Sequence, residues 1–464
     1  MFKDDTIAAI ATGISNSGIG IIRVSGDSAI SVVNSIYRSV SGDKKLTDYK
    51  SHTIHYGFIF DGDELLDEVM VSIMKAPKSF TTEDTVEINC HGGIIVTNRI
   101  LELVIKSGAR IAEPGEFTKR AFLNGRIDLS KAEAVMDIIH ARNEFALKSS
   151  VSQLKGSVSN LIKELREKIL YEIAFIESAL DDPEHISTEG YPEKLIMTVE
   201  GLLKQTDYLI KTAENGKIIT EGINTVIVGK PNAGKSSLLN IIVGQERAIV
   251  TDIAGTTRDA LEENVRLHGI SLNMIDTAGI RSTEDIVEKI GVDRAKKYAK
   301  DADLILYVVD SSIPLDESDY EIIEMIKGRK VIVLLNKTDL ENIVDEETIS
   351  KELGIVDTDL RIIRTSTKEG TGIDIFENTI VEMFFHGDIS FNDEIYITNM
   401  RHKEAIMDAD KSLRMVVQSI NDEMPEDFYS IDLMSAYASL GYILGEEVGE
   451  DLVNEIFSKF CMGK

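Results

Sequence analysis

The stretch Gly229-Lys-Pro-Asn-Ala-Gly-Lys-Ser236 decides the fold of a large part of this chain of 464 residues. It fits the phosphate-binding pattern G-x-x-x-x-G-K-[ST], and it stands between the apolar run Asn224–Gly229 and the helical pattern Ser236–Gly244. In such a loop, glycines let backbone N–H groups converge on phosphates, a lysine reaches the outer phosphates and a hydroxyl ligates Mg²⁺. The sequence therefore predicts a nucleotide site in which Lys235 contacts phosphate and Ser236 binds Mg²⁺.

Three further motifs follow in order, each at the end of an expected strand. In Asp276-Thr-Ala-Gly279, the aspartate suits a water-bridged Mg²⁺ contact and the glycine N–H suits the γ-phosphate. In Asn336-Lys-Thr-Asp339, the carboxylate of Asp339 can accept hydrogen bonds from guanine N1–H and N2–H₂, which adenine does not offer. Thr365-Ser-Thr-Lys368 stands where a loop usually backs the base. Together these motifs indicate a guanine-specific P-loop GTPase domain.

The segment Thr251–Asp259 lies between the phosphate-binding motifs and is expected to be the first switch. Thr256 or Thr257 should bind Mg²⁺ there and release it when the γ-phosphate leaves. The residues expected to contact GTP are Asn232, Ala233, Gly234, Lys235, Ser236, Ser237, Thr251, Asp252, Ile253, Ala254, Gly255, Thr256, Thr257, Asp276, Thr277, Ala278, Gly279, Asn336, Lys337, Asp339, Ser366, Thr367 and Lys368.

The composition of the chain indicates its cellular compartment and limits how it can bind nucleic acid. The chain has no apolar run long enough to span a membrane, and its N-terminus lacks the basic and apolar layout of a signal peptide. Its two cysteines suit a reducing compartment, so we expect a cytoplasmic protein. A net charge of −29 disfavours non-specific nucleic-acid binding by the whole molecule, so any nucleic-acid surface must be a local patch.

The hydrophobic pattern divides the chain into four parts. Residues 1–120 alternate β-rich runs with two helical stretches, as in a mixed α/β domain, and residues 121–221 have helical periodicity. Residues 222–385 contain continuous apolar strands between helices, which indicates a parallel sheet covered on both faces, and helical periods resume in residues 386–464. The two helical parts form either one discontinuous domain around an inserted G domain or two separate domains. The few helices in each part favour the first arrangement.

Within the first helical part, the residue types predict where helices begin and end. Ser130 and Glu133 have the spacing of a capping box. Apolar residues from Leu147 to Leu180 follow at steps of three and four, which predicts a continuous helical seam. A second helix is expected to start near Pro192 and to stop at Gly216.

The GTPase motifs, the segment Pro114–Val135 and the C-terminal Phe460-Cys-Met-Gly-Lys464 together resemble the MnmE (TrmE) family of tRNA-modification GTPases over nearly the whole chain. The resemblance implies an N-terminal domain that folds like folate-binding aminomethyltransferase domains and forms a homodimer. It also implies a flavoprotein partner, MnmG, in a heterotetramer that installs an aminomethyl-type group at carbon 5 of the wobble uridine of certain tRNAs. A tetrahydrofolate derivative, 5-formyl or 5,10-methylene, would supply the one-carbon unit, and glycine or ammonium the amine.

The resemblance also implies how GTP is hydrolysed, because Ile280 stands where many GTPases have a catalytic glutamine. In this family, dimerised G domains bind K⁺ beside the phosphates. Carried over to this chain, the K⁺ ligands are Asn232, Thr251, Ile253 and Thr256, and Thr257 joins Ser236 on Mg²⁺. Glu288 would orient the attacking water through a second water, Arg281 would stabilise the second switch, and Lys235 would contact the transferring phosphate.

A folate site is implied in the same way. Arg23, Glu87, Arg126 and Lys464 match the family's folate contacts, with a carboxylate suited to the pterin edge and basic residues to the carboxylate tail. Cys461 is either a nucleophile for one-carbon chemistry or a positioning residue. The second is slightly favoured, because only Lys459 and Lys464 stand near it in sequence. His91 is either a general base or, more in keeping with its sequence context, a hydrogen-bonded structural histidine.

A different class of function stays open at this level. A GTPase switch that docks RNA, as in ribosome assembly, would need the same nucleotide motifs but no one-carbon chemistry. It would have no folate affinity in residues 1–120.

Overall fold

The structure, a computed structural model, describes residues 5–40, 42, 44–141, 143–245, 263–267, 270–275, 302–354, 361–385, 397–446, 448–461 and 463. The chain divides into two compact units. The first unit comprises residues 1–139, 152–199 and 411–464, and the second comprises residues 140–151 and 200–410. Each unit therefore joins segments that are distant in the sequence.

The first unit contains, among the described residues, a seven-stranded sheet in the order β3-β4-β5-β6-β2-β1-β7. Neighbouring strands pair antiparallel except β1 and β7, which pair parallel. The strands are β1 Ile7–Ile10, β2 Ser17–Ser25, β3 Tyr37–Ser39, β4 Thr53–Asp61, β5 Glu64–Met74, β6 Thr85–Gly92 and β7 Arg110–Ile111. The β-rich runs predicted from the sequence correspond to β2, β4, β5 and β6, whereas β1, β3 and β7 are too short to give a clear period.

One face of this sheet is covered by α1 (Ala29–Ile36) and α2 (Ile94–Lys106). The strands alternate buried and more exposed residues, as expected for an antiparallel sheet with one covered face. Val24, Val71 and Ile88 are fully buried in a cluster that includes Val33 of α1 and Ile100 of α2. The two predicted helices and the α/β class of this region are confirmed.

The first unit also contains helices from both ends of the helical sequence: α3 Glu116–Leu123, α4 Leu129–His140, α6 Ser157–Asp181, α13 Glu426–Leu444 and α14 Glu450–Ser458. Helix α13 packs along α6. The Arg166 guanidinium lies 3.9 Å from the centroid of the Tyr437 ring, and its Nη1 is 2.6 Å from Glu446 Oε2. The helical segments before and after the second unit's sheet thus pack together, as in a discontinuous domain.

Two helical predictions are wrong, and both errors involve glycine. The expected continuous seam is broken at Gly156, whose φ of 103° separates α5 (Glu144–Lys155) from α6. Helix α7 (Tyr191–Glu221) continues through Gly216 instead of stopping there. A Cβ at Gly216 would collide with the backbone oxygen of Ile397, so this glycine permits a close backbone approach rather than ending a helix.

The predicted capping box at Ser130 is also wrong. Helix α4 begins at Leu129, two residues earlier than a cap at Ser130 implies, and Asp128 supplies the capping oxygen. Asp128 Oδ1 accepts hydrogen bonds from the Lys131 backbone N–H at 3.1 Å and from the Ser130 hydroxyl at 2.6 Å. The carboxylate displaces the serine as the cap because it can accept from both groups at once.

The second unit contains, in the described part of the chain, a six-stranded sheet in the order β13-β12-β11-β8-β10-β9. All neighbouring strands are parallel except the hairpin of β9 and β10. The strands are β8 Ile223–Val228, β9 Glu263–Leu267, β10 Ile270–Met274, β11 Leu304–Asp310, β12 Val331–Asn336 and β13 Arg361–Arg364. This sheet confirms the parallel α/β architecture of a Ras-like G domain.

Helices cover both faces of this sheet, which explains its continuous apolar strands. Helices α8 (Lys235–Gln245) and α11 (Ile373–Phe385) share one buried cluster, and α9 (Glu317–Ile326) and α10 (Glu346–Leu353) share the other. A further helix, α12, spans Met400–Asn421. The parallel strands β8, β12 and β13 end on one edge of the sheet, and the motif loops begin there.

None of the helices in the described residues is both long enough and apolar enough to cross a lipid bilayer.

Alanine at Gly216 and at Gly201 of the same helix should have opposite effects. Gly216→Ala is expected to destabilise the protein by about 1–3 kcal/mol, because the new methyl group overlaps the Ile397 carbonyl. Gly201→Ala, whose Cβ would meet open space, should stabilise the helix by up to about 1 kcal/mol. Denaturant-unfolding midpoints of the two variants would measure this, and equal shifts of the same sign would contradict the close-approach role of Gly216.

Candidate nucleotide and folate sites

The phosphate-binding loop needs glycine at two positions for steric reasons. Gly229 and Gly234 have φ values of 150° and 107°, and a Cβ on them would overlap the Val308 carbonyl oxygen and the Asn336 amide, respectively. Asn232 has a φ of 62° and an exposed side chain, which suits asparagine because it tolerates the left-handed region better than most residues. The loop conformation thus follows from its Gly-Asn-Gly composition.

Lys235 is the first residue of α8 and lies inside this loop. Its Nζ donates hydrogen bonds to the backbone oxygens of Gly229 and Lys230, each at 2.6 Å. Burial lowers the pKa of the Lys235 ammonium to about 8. Ser236 and Ser237 follow in the first turn of α8, where backbone N–H groups favour an anion. The predicted phosphate and Mg²⁺ residues are therefore gathered at one helix N-terminus.

Asn336 links this loop to the loop that is expected to back the base. Its buried Nδ2 donates to the Ala233 backbone oxygen at 2.7 Å, and its Oδ1 accepts from the Thr367 backbone N–H at 3.0 Å. A further contact of 3.3 Å joins Nδ2 to Thr367 Oγ1. A single amide thus sets the distance between the phosphate and base loops.

Asp339, the predicted guanine reader, is held by the next motif loop. Ser366 Oγ donates to Asp339 Oδ1 at 2.8 Å, and Lys368 Nζ lies 3.7 Å from Oδ2. The Ser366 hydrogen bond, assisted by the Lys368 charge, lowers the pKa of the Asp339 carboxyl below its usual value. The carboxylate is therefore ionised and oriented, as recognition of two guanine donors requires. Lys337 forms an ion pair with Asp310 at 2.5 Å.

The first unit brings together two of the expected folate residues, Arg23 and Glu87, and Gly463, the residue before Lys464. Arg23 on β2 and Glu87 on β6 are cross-strand partners, joined by contacts of 2.9 and 2.8 Å from Arg23 Nε and Nη2 to Glu87 Oε1. Arg23 Nη1 donates to the Gly463 backbone oxygen at 3.1 Å, and the guanidinium lies 5.6 Å from the Phe117 ring centroid. The C-terminal segment thus reaches the Arg23–Glu87 pair.

Cys461 and Arg126 have other partners in the first unit. The backbone oxygen of exposed Cys461 accepts from the Gly115 N–H at 3.3 Å, which holds the C-terminal segment against the loop before α3. Arg126 donates to the Phe80 backbone oxygen at 2.9 Å, and its guanidinium lies 4.9 Å from the Phe80 ring centroid. Phe80 packs on the buried cluster that contains Phe117, so the Phe80–Phe117 cluster lies between Arg126 and Arg23.

His91 is hydrogen-bonded to Asp67, an arrangement that fits either of the two roles expected for it. Its Nδ1 is 2.7 Å from Asp67 Oδ1, and its backbone N–H donates to Asp67 Oδ2 at 2.8 Å. The hydrogen bond to Asp67 raises the pKa of the His91 imidazole, so a larger fraction of it is protonated at neutral pH.

Several predicted site residues lie outside the described residues, and their roles stay predictions. They comprise the first-switch residues Thr251, Asp252, Ile253, Ala254, Gly255, Thr256 and Thr257, the motif residues Asp276, Thr277, Ala278 and Gly279, and Arg281, Glu288 and Lys464.

Sequence reasoning missed two contributors to these sites. Gly463 supplies a backbone carbonyl to Arg23, which no side-chain pattern could indicate. Lys230, the second residue of the phosphate-binding loop, forms an ion pair with Asp319 of α9. The sequence Asp316-Glu-Ser-Asp319 has the spacing of a capping box and could have predicted the start of α9, but not its partner.

The parallel sheet, the glycine-shaped loop around Lys235 and the ionised Asp339 define a P-loop GTPase. Comparison with known sequences agrees. Residues 6–126 match the GTP-binding protein TrmE N-terminus, and residues 129–461 match the MnmE helical domain. The chain belongs to the MnmE family of tRNA modification GTPases.

Full-length relatives support this assignment. The tRNA modification GTPase MnmE of Lachnoclostridium phytofermentans is 61% identical over 462 residues and covers 100% of both chains. That of Thermoanaerobacter pseudethanolicus is 50% identical and covers 99% of both chains. Among solved structures, the G domain of the T. maritima FeoB iron transporter shares 30% identity over 35% of this chain and 98% of its own, with a TM-score of 0.26.

Nucleotide binding at pH 8 should take up protons. The pKa of Lys235 is about 8 without a phosphate ligand, and a bound phosphate favours the charged form, so roughly 0.5 proton should be taken up per GDP. Titration calorimetry in buffers of different ionisation enthalpy would reveal this as a buffer-dependent heat. The uptake should fall to about 0.1 proton per GDP at pH 7, where Lys235 is already mostly protonated. Identical heats in both buffers at pH 8 would contradict the burial argument.

Proposed function

We propose that this GTPase uses a K⁺ ion, held when two G domains dimerise, to stabilise the transition state, and that Glu288 takes the role of the glutamine that Ile280 replaces. Asn232, Thr251, Ile253 and Thr256 would bind K⁺ through oxygen atoms. A cation beside the bridging oxygen offsets charge that develops between the β- and γ-phosphates. Among the described residues, support comes from Asn232, whose left-handed backbone and exposed side chain place its amide at the rim of the loop.

The other hydrolytic roles complete this proposal. Ser236 and Thr257 would bind Mg²⁺, and an oxygen donor at the start of α8 suits this hard cation. Glu288 would orient the attacking water and Arg281 would stabilise the second switch. The two cations and these residues would together surround the phosphates of GTP, and Lys235 would contact the outer phosphates.

We further propose that GTP turnover serves an aminomethyl-type modification at carbon 5 of the wobble uridine of certain tRNAs. The chain would act as a cytoplasmic homodimer with the flavoprotein MnmG. A tetrahydrofolate derivative bound by Arg23, Glu87, Arg126 and Lys464 would supply the one-carbon unit. Support for the tRNA step comes from the tRNA modification GTPases to which the chain is 61% and 50% identical.

The observation that carries the folate part is the Arg23–Glu87 pair beside the C-terminal segment. Both contacts from Arg23 use Glu87 Oε1, so Oε2 can accept from the donor edge of a pterin. The side chains of Arg23 and Glu87 are 18% and 23% exposed, respectively. This partial burial strengthens charge-assisted hydrogen bonds. The donor set therefore fits a folate, with Cys461 two residues from the Gly463 carbonyl as a positioning group or nucleophile.

GTP hydrolysis should be faster in K⁺ than in Na⁺ at equal ionic strength, and we expect at least a 10-fold difference in kcat. Asn232→Gly keeps the left-handed backbone and removes the side-chain oxygen, so it should abolish most of the stimulation. Asn240→Ala, on the exposed side of α8, is the matched control and should behave as wild type. Equal rates in the two salts for the wild type would refute the K⁺ proposal.

The wild type should bind 5-formyltetrahydrofolate, and Arg23→Ala should weaken binding by at least 10-fold. The substitution removes both the partner of Glu87 and the donor to Gly463. Arg38→Ala changes an arginine of the same sheet that contacts Phe60 and Gly62 instead, and it should bind like the wild type. Titration calorimetry measures all three. An absence of binding to the wild type would leave an RNA-docking switch without one-carbon chemistry as the better account.

A further inference from the structure

Lys230, the second residue of the phosphate-binding loop, has a buried side chain that pairs with two carboxylates at the start of α9. Its Nζ lies 2.6 Å from Asp319 Oδ2 and 3.0 Å from Asp316 Oδ2, and its side chain is only 9% exposed. The phosphate-binding pattern leaves this position open. A buried ammonium is costly unless it is paired, and the two carboxylates provide this pairing for Lys230.

The acceptor of this lysine is itself held in place. Asp319 is 1% exposed, and its Oδ1 accepts from the Tyr307 hydroxyl at 3.0 Å. Its Oδ2 accepts from the Asp316 backbone N–H at 3.1 Å. Tyr307 is fully buried on β11, where it pairs with Val228, the last residue of β8 before the loop. The carboxylate therefore has one position relative to the strand from which the loop starts.

The main chain of Lys230 links this anchor to the phosphate-binding lysine. Its backbone oxygen accepts from Lys235 Nζ at 2.6 Å and from the Ala233 N–H at 3.3 Å. The same residue thus attaches the loop to α9 through its side chain and closes the loop through its carbonyl.

We propose that the Lys230–Asp319 ion pair is a positioning element for GTP binding, which holds the loop backbone in its phosphate-binding shape and sets the place of Lys235. Neither residue contacts the nucleotide in this role. The pair acts through the loop, and Tyr307 and Asp316 orient the carboxylate that anchors it. The position of α9 is thereby coupled to the phosphate site.

The effect should appear in substrate binding rather than in the chemical step. A correctly shaped loop binds the phosphates in the ground state and the transition state alike, and loss of such uniform binding raises KM without changing kcat. Removing either partner breaks the same anchor, so removing both should weaken binding no more than removing one.

The test compares GDP affinity and GTP kinetics at 25 °C in full-length variants. Asp319→Asn and Lys230→Met should each raise the GDP Kd and the GTP KM about 10-fold, with kcat within twofold of the wild type. Lys230→Arg keeps the charge and should restore most of the affinity. Glu324→Gln breaks an exposed ion pair with Lys327 at the C-terminal end of the same helix and is the matched control.

Thermal unfolding separates positioning from simple stabilisation. A lower Tm with unchanged KM and Kd in the single variants would overturn the proposal. The double variant Lys230→Met/Asp319→Asn leaves no lone buried charge, so it can be measured even if a single variant fails to fold. If the pair acts as one unit, the double variant should weaken GDP binding about 10-fold, as each single variant does. Additive losses of about 100-fold, or wild-type affinity in the double variant, would overturn the coupling.

Discussion

The side-chain amide of Asn336 is the interaction on which the nucleotide site depends. An amide can donate to one loop and accept from another at the same time, and Asn336 does so with Ala233 and Thr367. A carboxylate in its place could not donate to Ala233, and a leucine could do neither. Because the amide occupies the space beside Gly234, the glycine of the phosphate loop and the asparagine of the base loop require each other. The distance between phosphate and guanine recognition is therefore built in before any nucleotide arrives.

In the first unit, a network of charges around Arg120 holds the candidate folate site together. Arg120 of α3 is 5% exposed and contacts the carboxylates of Asp5, Glu83 and Glu116. These contacts hold α3 against the start of the sheet, and α3 in turn presents Phe117 to Arg23. Just before α3, Gly115 has a φ of 67° and packs against Phe457 and Phe460, so its N–H can hold the Cys461 carbonyl. The C-terminal segment reaches the Arg23–Glu87 pair because these distant parts of the chain are joined there.

The order of strands and helices, and most of the GTP-binding residues, could be predicted because they leave local signals. Continuous apolar strands such as β12 indicate a sheet covered on both faces, and the loop around Lys235 has a spacing that phosphate chemistry requires. Predictions failed where a local signal has two meanings. Glycine can end a helix or admit a neighbouring backbone, and only the approach of Ile397 shows which applies at Gly216. Ser130 and Asp128 can both cap a helix, and the stronger acceptor takes the position.

The sequence by itself determined the class of each region, the phosphate and guanine motifs, and the resemblance over the whole chain to one family of GTPases. These features depend on residue types at short spacings, which hydrogen-bond chemistry and hydrophobic periodicity constrain directly. Only the tertiary structure decided that Lys230 pairs with Asp319, that Gly463 meets Arg23, and that α6 packs with α13. The partners in these contacts are 89, 440 and more than 240 residues apart in the sequence. No local pattern encodes such pairings, because they form only when the core of each unit packs.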